Sequence, residues 1–171
     1  TFAPGVATGD RLWNPGTIAF EAGHDGQSLS LNGANGVRLP DGLISNYEYT
    51  VSFWIRPRVF TRFTTGFFGA VDEQIDGAGL PFSTRWLSFL PESWDGNTML
   101  WSGSEAFFDG SAGERIPANT WTHMAFSVNK GVVSVYLNGV RRFSNGTLAD
   151  FFTSKTGIFA LGVNYWDLPF N

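Results

Sequence analysis

Residues 121–146 read WTHMAFSVNKGVVSVYLNGVRRFSNG, and this stretch decides the architecture. Two runs rich in β-branched and aromatic residues flank Asn129-Lys130-Gly131, and a third run follows Asn138-Gly139. Turns of this composition between such runs predict antiparallel hairpins, because Asn and Gly tolerate the positive φ of tight turns. Met124, Phe126 and Val128 fall on one face; His123, Ala125 and Ser127 fall on the other. Period-two alternation suits a strand with one face on a core and one in water, as in a two-layer sandwich.

The same reading extends outward. In 49–56, Val51, Phe53 and Ile55 point one way and Thr50, Ser52, Trp54 and Arg56 the other, with Pro57 closing the strand. Shorter strands are expected at 17–20, 27–32, 37–39, 66–71, 85–90, 98–102, 105–109 and 157–163. Residues 1–16 hold Pro4, Gly5, Gly9, Pro15 and Gly16 and read as an irregular arm, with Trp13 expected to tuck against the sandwich. Loops are expected at 58–65 and 72–82, and a helical turn at 148–152. No repeat or linker divides the chain, so residues 1–171 are read as a single all-β domain, a two-layer antiparallel β-sandwich.

Composition narrows the function classes. With 21 glycines, 16% aromatic and only 15% charged residues, the chain favours strands and tight turns over helices. A net charge of −4 and the lack of a Lys/Arg run argue against nucleic acid. No apolar run reaches about 18 residues, so no transmembrane helix is expected. The absence of cysteine excludes disulfides and thiolate chemistry.

Four stretches carry a family resemblance: SLSLNGANGVRLPDGL at 28–43, YTVSFWIRP at 49–57, the 121–146 hairpins and FALGVNYWDLPF at 159–170. Together they resemble the laminin-G-like (concanavalin-A-like) jelly-roll modules, in particular those attached to bacterial arabinan-degrading glycoside hydrolases. The resemblance implies a non-catalytic carbohydrate-binding module of a secreted, extracellular or cell-surface enzyme, with arabinan the favoured polymer and a catalytic domain as neighbour. It also leaves room for a structural calcium. Such modules open and close with strands that pair with each other, and neither is visible in TFAPGVATGD or after YWDLPF. A chain shortened at both ends, or an edge filled by a complementary segment, is therefore expected.

Catalysis is not supported by the residues. Jelly-roll glucanases resemble one another in alternating carboxylates on one strand, about 5 Å apart for retention. The densest acidic run, Asp72-Glu73-Gln74-Ile75-Asp76, lacks that spacing and reads as a solvated loop. His123 reads as a packing or hydrogen-bonding residue and His24 as a loop residue; neither belongs to a nucleophile elbow or zinc pattern. Loop carboxylates Asp25, Asp41, Asp76, Asp95, Asp150 and Asp167 could serve calcium, but their spacing assigns no ligand set.

Aromatic residues among small polar ones carry the better argument, because sugar rings present C–H faces to flat indoles while amides and carboxylates take hydroxyls. Trp94, Trp101, Asn164, Tyr165, Trp166 and Asp167 are the candidates on this basis. Trp54, Trp86 and Trp121, in mid-strand, read as cover for the sandwich. Two other readings stay open: a protein-interaction or adhesion domain, and a domain that only braces a neighbouring hydrolase.

Overall fold

The computed structural model of the protein describes residues 6–167, 169 and 170. Fifteen strands follow one another among the described residues: β1 (Val6–Thr8), β2 (Ala19–Ala22), β3 (Gln27–Ser30), β4 (Gly36–Leu39), β5 (Glu48–Ile55), β6 (Phe67–Val71), β7 (Gln74–Ile75), β8 (Pro81–Phe82), β9 (Arg85–Leu90), β10 (Met99–Ser102), β11 (Phe108–Ser111), β12 (Thr122–Asn129), β13 (Val132–Leu137), β14 (Val140–Gly146) and β15 (Ile158–Leu161). No helix appears among them, hence none long and apolar enough to cross a membrane.

The 121–146 stretch forms β12, β13 and β14, joined by two-residue loops. Lys130 and Gly131 have φ of 48° and 90°, and Asn138 and Gly139 of 51° and 77°. Positive φ at both loop positions is the type I′ turn, whose twist matches that of the flanking strands. A register shift between Val135 and Tyr136 marks a bulge against β14.

Two main sheets stack. One is four-stranded, in the order β14-β13-β12-β5; the other is seven-stranded, β1-β4-β15-β6-β9-β10-β11. Both are wholly antiparallel, and β2–β3 and β7–β8 are separate hairpins. Alternation places Met124, Phe126 and Val128 of β12 between the layers, each at most 1% exposed. There Phe126 meets Phe89 edge-on at 5.2 Å, with Phe67 and Tyr49 about it.

The outer face of the seven-stranded sheet is also apolar. Phe68 and Ala70 of β6, Trp86 of β9 and Ala160 of β15 form a second cluster there, roofed by Leu12, Val163 and Tyr165. This second cluster sets the site described below.

Several expectations need correction. The arm is not wholly irregular: β1 pairs with β4 at the sheet edge, and Leu12, 3% exposed, is the residue that tucks in, while Trp13 stays 39% exposed. Residues 148–152 are not helical. Leu148, Phe151 and Phe152 have the i, i+3, i+4 spacing of one helix face and are all buried, but they reach the core from an irregular segment. Phe152 sits between Tyr49 and Phe159, and the Leu148 N–H donates to the Gly131 carbonyl. The strand expected at 105–109 lies at Phe108–Ser111, and the 72–82 excursion folds into the β7–β8 hairpin.

Phe126→Ala should cost about 3–5 kcal/mol, because the two sheets cannot close over the void. Urea unfolding measures this, with Ser127→Ala on the opposite face expected to stay within about 0.5 kcal/mol of the parent.

Candidate functional site

Strand alternation and register place the aromatic residues on the outer face of the seven-stranded sheet. Trp101 of β10 lies opposite Ser88 of β9 and Asp109 of β11. Trp86 lies two residues before Ser88, on the same face, and meets Trp101 at 4.8 Å in an edge-on contact. Its indole rests on the backbone of Gly103, where a Cβ would come within 3.0 Å of the ring. A side chain there would require the Trp86 ring to give by a few tenths of an ångström.

Chain segments outside the sheet add further rings. Trp166, 41% exposed, sits 5.6 Å from Trp86 and 6.1 Å from Phe68. Phe63, in the loop before β6, lies 5.3 Å from Trp101 at a shallow 31°. That loop is held by Phe63 at φ 66°, by its N–H donating to the Glu92 carbonyl, and by a Ser88-to-Thr65 hydroxyl bond of 2.6 Å. At the β11 side the tip between β9 and β10 turns over the face. Ser111 donates to Asp95 at 2.7 Å, and Trp94, half exposed, directs its Nε1 at Asp109, 3.4 Å away. The result is a course of indoles, Trp166–Trp86–Trp101, continued through Asp109 to Trp94.

The residues expected from sequence divide into two groups. Trp94, Trp101 and Trp166 all reach this face. Asn164 and Tyr165 do not offer themselves to a ligand. Asn164 is 2% exposed; its Oδ1 accepts from the N–H groups of Trp166 and Asp167, and its Nδ2 donates to Asp167. Tyr165 is 4% exposed and donates its hydroxyl to Glu73 at 2.6 Å. Both residues shape the turn that presents Trp166. Trp86, expected as cover for the sandwich, is 7% exposed and backs Trp101 and Trp166, while Phe63 was not singled out from the sequence. Trp86 shares the parity of Trp101 across an antiparallel pair, a signal present in the sequence once the register is known; Phe63 carries no such signal.

Electrostatics follow burial. Asp167 is pushed above the ordinary carboxylate value by burial, against the opposing pull of Asn164 and Arg11. For Asp95, burial raises the value, but the Ser111 hydroxyl and the amides of Asn97 outweigh it and leave the carboxyl below its usual range. Tyr165 is raised by burial and by Glu73.

The opposite side of the sandwich also carries rings, and Trp54 there stays 45% exposed. His24 stacks flat on Trp54 at 3.6 Å and 10°, and the Arg56 guanidinium lies 5.0 Å above Trp121. Glu21 accepts from both Arg56 and Arg58 beside them. His123 packs against Trp54 at 5.3 Å.

Among the described residues, no three His, Asp or Glu side chains gather as a hard cation requires. Asp41 pairs with Arg38, Asp76 accepts the amides of its own loop, and Asp150 accepts from Thr153.

Residues 31–171 match the sequence model of the concanavalin A-like lectin/glucanases superfamily. Among solved structures, the chain is 48% identical to domain 4 of AbnA, a GH43 extracellular arabinanase from Geobacillus stearothermophilus, in complex with arabinotriose. The match has a TM-score of 0.89 and covers 98% of this chain and 77% of that one. The carbohydrate-binding module CBM66 from Bacillus subtilis is 12% identical over 86% of this chain and 89% of its own. Its TM-score of 0.37 is too low to carry an argument. No curated protein matches the chain.

A carboxyl raised in the folded state binds its proton more tightly there than in the unfolded chain. The stability from Asp167 is full below its ordinary value of 3.8 and is lost as pH rises through the raised folded value. Asp167→Asn should therefore flatten the fall in Tm across that window, read from melting curves at stepped pH. A profile parallel to the parent's would contradict the assignment.

Proposed function

Given that the chain belongs to the concanavalin A-like lectin/glucanases superfamily, we propose that it is a non-catalytic module that binds oligosaccharide on the outer face of its seven-stranded sheet. An arabinan-type polymer is the favoured ligand, and an extracellular glycoside hydrolase the setting. The carrying observation is the course of partly exposed indoles, Trp166, Trp101 and Trp94, on a module 48% identical to an arabinanase domain in complex with arabinotriose. Indole faces take the C–H faces of furanose rings, and Asp109 at the Trp94 end is placed to accept hydroxyls.

Binding rather than turnover is supported by how the nearby acids are used. Asp95 is held by Ser111 and Asn97, Asp167 by Asn164, and Glu73 by Tyr165. Each acts in positioning the rings. A few stacked rings give only a small surplus over ordering costs, so a Kd between about 10 μM and 1 mM is expected. Calcium, if the natural protein takes one, has no ligand set assigned on this face.

Titration calorimetry with arabinotriose tests the reading. Trp101→Ala and Trp166→Ala should each weaken binding about tenfold, since a lost stacked ring costs about 1–1.5 kcal/mol. Trp54→Ala should bind as the parent does. Unchanged binding in the first two with loss in the third would move the site to the other side of the sandwich. Release of reducing sugar from arabinan by the isolated chain would overturn the non-catalytic reading.

A further inference from the structure

One more exposed ring stands just before β11, outside the course of indoles. Phe108 points between the layers, 8% exposed and edge-on to Phe143 at 5.9 Å. Alternation turns its neighbours Phe107 and Asp109 to the outer face, where both are exposed. Phe107, at 82%, is more exposed than any other large apolar side chain among the described residues, and no ring there packs against it.

Antiparallel register fixes its place. Trp101 pairs with Asp109 and Ser102 with Phe108, so the next rung sets Phe107 against Gly103. Gly103 has no side chain and bears the edge of the Trp86 indole, so nothing of its own separates Phe107 from the indoles. Phe107 lies about 7 Å from Asp109 along the strand and about 10 Å, two strand spacings, from Trp86. Trp94 stands on the other side of Asp109, because Asp95 ties its loop to Ser111, two residues further along β11.

The turn holds Phe107 in that position. Ser104 takes φ of 58°, the Glu105 N–H donates to the Thr84 carbonyl at 3.2 Å, and the Thr84 hydroxyl donates to Glu105 at 2.7 Å. The Ser102 hydroxyl reaches the Ala106 carbonyl at 2.5 Å. A lone phenyl ring between Glu105 and Asp109 is too small and too polar a patch to dock a protein. It is continuous with the ring-lined face, and it changes the shape of that face. Trp166, Trp86 and Trp101 run across the strands, whereas Trp94, Asp109 and Phe107 run along β11, with Trp101 abreast of Asp109. An unbranched chain arriving over Trp166 and Trp101 can continue to Trp94 or to Phe107, but not to both.

We propose that the face is forked and that Phe107 is the subsite for a side residue. The tighter ligand is a saccharide branched at the unit seated over Trp101 and Asp109, its main chain running on to Trp94 and its branch lying on the Phe107 ring. The phenyl face takes the C–H face of the branch sugar, and Asp109 accepts a hydroxyl at the fork. This assignment rests on the sugar-binding reading and names the form of polymer that the same site selects.

Titration calorimetry compares linear arabinotetraose with arabinotriose carrying one arabinofuranosyl branch on its middle unit, two ligands with the same number of sugar units. The parent should bind the branched form about tenfold tighter. Phe107→Ala should abolish that preference and leave the linear Kd unchanged, while Phe107→Tyr should keep it. Equal affinities in the parent, a preference that survives Phe107→Ala, or equal weakening of both ligands would overturn the fork and leave the sugar-binding reading standing. If Trp101→Ala and Trp166→Ala bind arabinotriose as the parent does, the sugar-binding reading falls and the fork with it.

Discussion

Strands β6 and β9 carry large apolar side chains on both of their faces. Phe67, Val71, Leu87 and Phe89 point toward the four-stranded sheet, and Phe68, Ala70 and Trp86 point away from it. Antiparallel sheets usually leave one face to water, so a second apolar face must be covered by something other than a layer. The rest of the molecule answers that need. Leu12 from the arm, Val163 and Tyr165 from the segment after β15, and Phe63 from the loop before β6 all close on it.

The cover is incomplete, and its gaps make the candidate site. Segments pinned by side-chain hydrogen bonds, Asn164 at one end and Asp95 with Ser111 at the other, hold Trp166 and Trp94 at the margins. Between them Trp101 remains half-buried, its ring neither sealed in a core nor free on a loop. A trough of indoles held by stapled turns is preorganised: little order has to be gained when a ligand arrives.

Much of this was legible in the residues themselves. The hairpins of 121–146, the long strand 49–56 and the flanking strands from 66 to 102 follow from alternation and turn chemistry. The site was half legible. Trp94, Trp101 and Trp166 were visible as aromatics among small polar residues, but Tyr165 and Asn164 share that local composition and are buried. Composition reports what a residue could do; only the fold of 163–167 back onto Phe68 shows which ring faces out. Trp86, read from its mid-strand position as cover for the sandwich, is 7% exposed within the second apolar cluster.

The sequence by itself determined the class of structure: antiparallel strands, tight turns at Asn129-Lys130-Gly131 and Asn138-Gly139, and an apolar face on each long strand. These are local properties, set by φ preferences and by a period of two that any neighbour must respect. Tertiary structure alone decided the unequal widths of the two sheets, the burial of Leu148, Phe151 and Phe152 without a helix, and the meeting of Trp86, Trp101 and Trp166 from three separate segments. Those outcomes depend on contacts between residues far apart in the chain, and no local pattern encodes which distant surface will cover an apolar face.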